Sequence, residues 1–153
     1  MALPEIEARR DGEKARLPNG VRGAQELADF IKDNYSGKVV EVGVGLRPEV
    51  ASLCRPLRLL ATDKETRALG DVRVEKDDIF SPRREIYQGA SLIYSVRPPL
   101  EMQQAMGELA REVNCDVLIR PLEDEIADLP GFSRRLINAG WARFYLYRLK
   151  RDV

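Results

Sequence analysis

The stretch 38–48, Lys-Val-Val-Glu-Val-Gly-Val-Gly-Leu-Arg-Pro, limits what this chain can fold into more than any other. Val39, Val40 and Val42 make a β-branched apolar run, the composition of a central strand buried on both faces. Gly43 and Gly45 let the backbone turn sharply and lie against a ligand with no Cβ in the way. Pro48 is suited to the start of a helix, whose free N–H groups would point back at the turn. A strand, a glycine turn and a helix together open an α/β sheet that binds its ligand beyond the carboxyl ends of its strands.

The remaining periodicity extends that unit. Leu27, Ala28, Phe30, Ile31 and Tyr35 fall at helical spacing in a helix predicted over 25–35, which feeds the first strand. A short helix over 48–54 must stop at Arg55-Pro56. A second strand over 57–62 ends at Asp63, twenty residues past Gly43. That spacing brings an acid from the tip of the second strand to the hydroxyls of a ribose held at the first turn. Capping of the following turn is the other use for Asp63. A short edge strand is expected over 72–74, followed by Asp77 and Asp78, either of which can accept from the exocyclic amine of a base or simply solvate a turn. The run 90–96 reads as a fourth strand, and Pro98-Pro99 forces an extended exit that sets Ser95 and Arg97 at the carboxyl edge. A helix over 100–113 carries Met102, Ala105, Met106, Leu109, Ala110 and Val113 as an apolar stripe, with both methionines read as core. A fifth strand over 116–120, an acidic loop with Glu123, Asp124, Glu125 and Asp128, a short helix over 132–138 and a final strand over 141–149 complete the pattern.

The fold expected is therefore a doubly wound, mostly parallel sheet of about six strands with helices on both faces, forming one domain over 24–153 after a weakly ordered arm over 1–23. At 153 residues the chain supports one substantial core. Its twenty-five basic and twenty-five acidic residues cancel, so no global charge advertises a nucleic-acid or membrane partner. With no histidine and two isolated cysteines, Cys54 and Cys115, a zinc site and a histidine-based triad are excluded, and buried thiols of a reducing cytoplasm are expected. No apolar run is long enough to span a bilayer.

A dinucleotide fingerprint requires a third glycine three residues after Gly45, where this chain has Pro48, so NAD is disfavoured. The set Val40-Glu41-Val42-Gly43-Val44-Gly45, Ala61-Thr62-Asp63, Asp77-Asp78-Ile79-Phe80 and Tyr94-Ser95-Val96-Arg97-Pro98-Pro99 instead resembles the first four motifs of class I S-adenosylmethionine-dependent methyltransferases, over roughly 25–120. The whole chain resembles a family of small archaeal proteins with a reduced methyltransferase-like fold. The resemblance implies that Glu41 and the Gly43 and Gly45 backbone contact the methionine part of S-adenosylmethionine or S-adenosylhomocysteine. It further implies that Asp63 meets the ribose and Asp77 or Asp78 the adenine amine. Arg47 stands where those enzymes carry a third glycine, and the segment 95–99 departs from the polar-Pro-Pro-aromatic motif of amino-methylating enzymes.

Methyl transfer from a sulfonium is an in-line displacement governed by positioning and desolvation, so a chain without histidine can perform it. The candidate residues for acting on an acceptor are Ser95 and Arg97. Arg97 is read as a fork for a phosphate or carboxylate, or as a brace paired with Asp77, Asp78 or Glu101. The chain has little length beyond the cofactor fold for holding an acceptor. Two readings therefore stand: a minimal enzyme whose acceptor surface another chain or copy completes, and a cofactor-binding regulator or partner subunit without chemistry. The basic stretch over 132–153 is read as an edge guarded against strand pairing or as an RNA contact, with Trp141, Tyr145 or Tyr147 stacking on bases.

Overall fold

The computed structural model describes residues 22–151. Its centre is the apolar run read above, β1 (Lys38–Val42), paired in parallel with β2 (Arg58–Asp63) on one side and β4 (Ala90–Val96) on the other. β3 (Val74–Lys76) extends the sheet beyond β2, and β5 (Asp116–Arg120), β7 (Ala142–Leu149) and β6 (Phe132–Ala139) extend it beyond β4, giving the order β3-β2-β1-β4-β5-β7-β6. The first five strands are parallel, and β7 joins β5 antiparallel. Strand order reverses between β1 and β4, so a crevice opens there beyond the carboxyl ends.

Helices cover both faces because strand alternation sends apolar side chains to both. On one face α1 (Ala24–Asn34) and α2 (Glu49–Leu53) close a core of Leu27, Ile31, Val39, Cys54, Leu92, Tyr94 and Phe144. On the other, α3 (Arg84–Tyr87) and α4 (Leu100–Val113) close a core of Val40, Val42, Ile93, Met106, Val117, Ile119 and Tyr147. Each large aliphatic side chain sealed in these cores contributes roughly 1.5–3 kcal/mol. α4 starts after Pro98-Pro99 and ends at Asn114, whose left-handed φ of 68° lets its N–H reach Ala110 O and cap the last turn.

Several sequence expectations need correction. The short helix over 132–138 is the edge strand β6, which makes the sheet seven-stranded rather than about six. Its partner explains why: Ala139 faces Ala142, and Gly140 at φ 58° supplies the left-handed first position of a two-residue hairpin turn. Cross-strand pairing with β7 outweighs the helical reading of Arg134 to Asn138, whose side chains face solvent more than core. The third strand lies two residues later than 72–74, and Val72 makes only an isolated bridge with Leu69. The α3 turn carries no periodicity and was not anticipated. The reading of 1–23 as an arm falls, but for Arg22 and Gly23, outside the described residues. Among the described residues no helix is long and apolar enough to cross a membrane.

Candidate functional site

A cavity of about 550 Å³ opens at the carboxyl edge, a volume in the range of ligand pockets. Its walls come from the carboxyl ends of β1, β2, β3 and β4, around the switch point. β1 contributes Val42 and Gly43, and β2 contributes Thr62 and Asp63. The segment after β3 adds Asp77 to Phe80, and the exit of β4 adds Ser95 to Pro99. Six of the sequence candidates therefore meet in one place: Gly43, Asp63, Asp77, Asp78, Ser95 and Arg97. Glu41 and Gly45 do not line it. Met102, read as core, does: it is half-buried, and its Cε lies 3.0 Å from where a Cβ on Gly43 would stand. Gly43, at φ 69°, is thus demanded by its backbone conformation, while a Cβ there would meet the flexible end of Met102.

The glycine turn is tied to β2. Gly43 N–H and Val44 N–H both donate to Thr62 O, at 2.9 and 3.0 Å, and Gly45 N–H donates to Asp63 Oδ1 at 2.9 Å. Asp63 Oδ2 accepts from Glu65 N–H at 3.0 Å and from Arg67 Nε at 3.1 Å. Burial works to raise the Asp63 carboxyl, but the Glu65 and Gly45 amides and the Arg67 guanidinium outweigh it and hold it below the usual carboxylate range. Asp63 caps its turn and also faces the cavity. Arg67, four residues on, occupies the cavity side of Asp63 through Oδ2. No sequence signal marked it beyond its spacing from an acid.

Asp77 and Asp78 divide sharply. Asp77 is buried, accepting from Tyr87 O–H at 2.6 Å on one oxygen and from Arg83 N–H at 3.0 Å on the other, so it fixes the loop after β3. Burial, with the hydrogen bond to Asp77, drives the Tyr87 hydroxyl pKa upward, so it stays a donor. Asp78 is exposed, and among the described residues it accepts only from Phe80 N–H, at 2.9 Å on Oδ1. Tyr87 carried no sequence signal.

Glu41 sits on the opposite face of β1 from Val42, as strand alternation requires, and is buried beneath the turn with Tyr94 O–H donating to its Oε1 at 2.6 Å. Burial pushes its carboxyl up to about 8, against the opposing effect of Tyr94 and with a further rise from Glu49. α2 supplies little helix dipole, because it has only five residues. The expectation that its free N–H groups serve a ligand is therefore not carried by its length.

Ser95 is buried, and its hydroxyl donates to Val42 O at 2.7 Å, bracing β4 to β1. Arg97 is exposed at φ 60°, its N–H donating to Arg120 O at 2.7 Å. Among the described residues no carboxylate lies within ion-pair distance of its side chain. The bracing pair with Asp77, Asp78 or Glu101 is not formed, since Asp77 instead pairs with Arg83. At the next strand Arg120 keeps one buried Nη1 without a partner among the described residues, and burial together with the Arg97 charge lowers its pKa.

The fold has solved counterparts. An S-adenosyl-L-methionine methyl transferase from Silicibacter pomeroyi matches with a TM-score of 0.60 at 14% identity, over 84% of this chain and 91% of that one. A ribosomal protein L11 methylase from Lactobacillus delbrueckii matches with a TM-score of 0.53 at 16% identity, over 86% and 81%. Such identities speak for a class I methyltransferase-like fold and no further. A UPF0146 protein from Archaeoglobus fulgidus is 44% identical over 126 residues, 80% of this chain and 93% of its own length. The family described as Uncharacterised protein family (UPF0146) matches residues 24–149, which include every strand of the described sheet, and the chain belongs to it.

Proposed function

We propose that the carboxyl-edge cavity binds S-adenosylmethionine or S-adenosylhomocysteine, and that the protein is a minimal methyltransferase. The observation that carries this reading is the convergence of Gly43, Asp63, Asp77, Asp78, Ser95 and Arg97 on one cavity at the switch point of a methyltransferase-like sheet. The residues present suit the ligand. Asp78 offers a free oxygen to an adenine amine, while Ile79, Phe80 and Met102 offer apolar surface to the purine. Five acidic residues line the cavity against Lys64, Arg67 and Arg97, a balance that favours a cationic sulfonium. Asp63 receives the ribose once Arg67 yields its oxygen. Asp77 and Glu41 position the loop and the turn without touching the ligand. When bound, the sulfonium supplies an electrophilic methyl group, and this chain contributes orientation and exclusion of water.

Calorimetric titration with S-adenosylmethionine, S-adenosylhomocysteine and NAD tests the proposal. Saturable binding of the adenosyl ligands with weaker NAD binding is expected, and equal or tighter NAD binding sinks it.

A second reading is favoured by one observation: the Ser95 hydroxyl donates to Val42 O, so its orientation is set by the bracing of β4 to β1 and not by a second substrate. On that reading the protein is a cofactor-binding subunit without chemistry. Transfer of a labelled methyl group to any component of a cell extract separates it from the enzyme.

A further inference from the structure

The last hairpin carries charge that the cavity does not use. Residues 132–151 hold Arg134, Arg135, Arg143, Arg148, Lys150 and Arg151 and no acid, which leaves the rest of a neutral chain with nineteen basic against twenty-five acidic residues. Register sorts the hairpin's cations by face. Arg134 and Arg143 share a face with Tyr145, their guanidinium carbons 5.6 and 5.8 Å from its ring centre, and they reach Asp128 and Asp124 at 3.1 and 3.7 Å. Those two acids are almost fully exposed, so the pairs hold the arginines weakly.

Arg135 and Arg148 stand on the opposite face. Arg148 is registered against Ser133 and Arg135 against Leu146, which makes the two arginines diagonal neighbours across the strands. Both are exposed, and among the described residues neither has a carboxylate within ion-pair distance. With Ser133, Leu146 and Arg134, itself paired with Asp128, they line a recess of about 370 Å³. The recess lies toward the end of β7 that pairs with the start of β5, away from the carboxyl edge and its cavity. Like charges held close on one sheet face cost stability. Guarding an edge strand asks only for charge along it, and does not account for two unpaired guanidiniums and a hydroxyl around one recess.

We propose that this recess seats phosphate groups of a single-stranded RNA, with the β6–β7 hairpin as its binding surface. Guanidinium forks match phosphate oxygens in pairs. On the other face Tyr145 of the inner strand β7 is half-buried with the Arg134 and Arg143 guanidiniums over its ring, so a base of the same RNA stacks there by displacing one of them. The site is separate from the carboxyl-edge cavity and does not depend on what that cavity binds.

Fluorescence anisotropy with a short labelled polyuridine strand, over a series of salt concentrations, tests this. The double variant R135Q/R148Q is expected to lose about tenfold or more in affinity and to flatten the slope of log K against log salt by about 1.4, the effect of two lost phosphate contacts on a single strand. R58Q/K76Q, with the same charge change at the far edge of the sheet, is expected to stay within about twofold of the parent protein. Equal losses in the two variants, or an unchanged affinity in R135Q/R148Q, overturn the proposal. Full competition by millimolar inorganic phosphate assigns the recess to a small anion, and pelleting with phosphatidylserine vesicles in the absence of RNA binding assigns the hairpin to a lipid surface. Either result overturns it as well. If R135Q/R148Q melts early, R135K/R148K keeps the charge while removing the forks. That variant is expected to retain the salt slope with weaker affinity, and a slope lost along with the forks counts against phosphate contact.

Discussion

Carboxylates close together in the sequence have separate tasks because their surroundings differ. Asp77 has both oxygens engaged by Tyr87 and Arg83, whereas among the described residues Asp78 has one oxygen uncommitted. Asp77→Ala is therefore expected to lower the melting temperature by several degrees, since it orphans a buried hydroxyl and an amide at about 1–3 kcal/mol. Asp78→Ala should leave melting unchanged and weaken adenosyl-ligand binding by about ten- to hundredfold, the same energy read as affinity. Calorimetric titration and thermal melts of both variants check the pair, and a reversed pattern would exchange their roles. At Asp63 the Arg67 guanidinium competes with any ribose, so Arg67→Ala should tighten adenosyl-ligand binding several-fold. Weakened binding would mean instead that Arg67 itself holds the ligand. Glu41 governs a pH response. Burial raises its folded pKa to about 8, above the 4.5 of an unperturbed glutamate, so the folded protein binds the proton more tightly than the unfolded chain. Its contribution to stability is complete below about 4.5, declines as pH rises toward 8, and is gone above it. Glu41→Gln, which keeps a neutral polar group under Tyr94, should remove that decline and be more stable than the parent protein at pH 8.5 by on the order of a few kcal/mol. Melts across pH 5–9 that run parallel for the two proteins would show that Glu41 ionises freely in the fold.

Among the elements, α4 does more than cover the sheet, because Gln103 on its first turns is fully buried and bonds to backbone on both sides. Its Nε2 donates to Pro98 O at 3.0 Å and to Glu125 O at 2.9 Å, and its Oε1 accepts from Ala127 N–H at 2.8 Å. One side chain thus joins the exit of β4, which carries Arg97, to the acidic loop after β5. Gln103→Leu fits the volume but takes the partner from two buried backbone groups, Pro98 O and Ala127 N–H, and from the part-buried Glu125 O, and should cost about 2–4 kcal/mol in chemical denaturation. A loss under about 0.5 kcal/mol would show that water replaces the amide. Periodicity marks Gln103 only as a polar residue in an apolar stripe. Its role depends on a loop twenty-two residues away in sequence, which no local pattern discloses.

Across the whole molecule, one sheet separates two cores, and the thiols report on each: Cys54 lies in the core under α1 and α2, Cys115 in the core under α4. Burial pushes both thiols up to about 12, so neither reacts in the native fold. Because the two cores share every central strand, both cysteines should become reactive to alkylation at the same denaturant midpoint. Two separate midpoints would mean that the faces open independently. The sequence by itself determined the parallel half of this sheet. The valines of β1, the glycine turn, the acid at the tip of β2 and the proline-bounded β4 are local signals, since burial on both faces and left-handed backbone each leave a mark within a few residues. It also indicated which residues gather at the carboxyl edge, because every strand of a parallel sheet ends on the same side. Tertiary structure alone decided the rest. Whether a carboxylate or a hydroxyl is free or committed depends on partners far away or on another element, as Tyr87 does for Asp77, Tyr94 for Glu41 and Val42 for Ser95. Whether 132–138 is helix or strand was settled by the pairing of β6 with β7 across Gly140, because a strand's hydrogen bonds are made to a neighbour, whereas a helix makes its own.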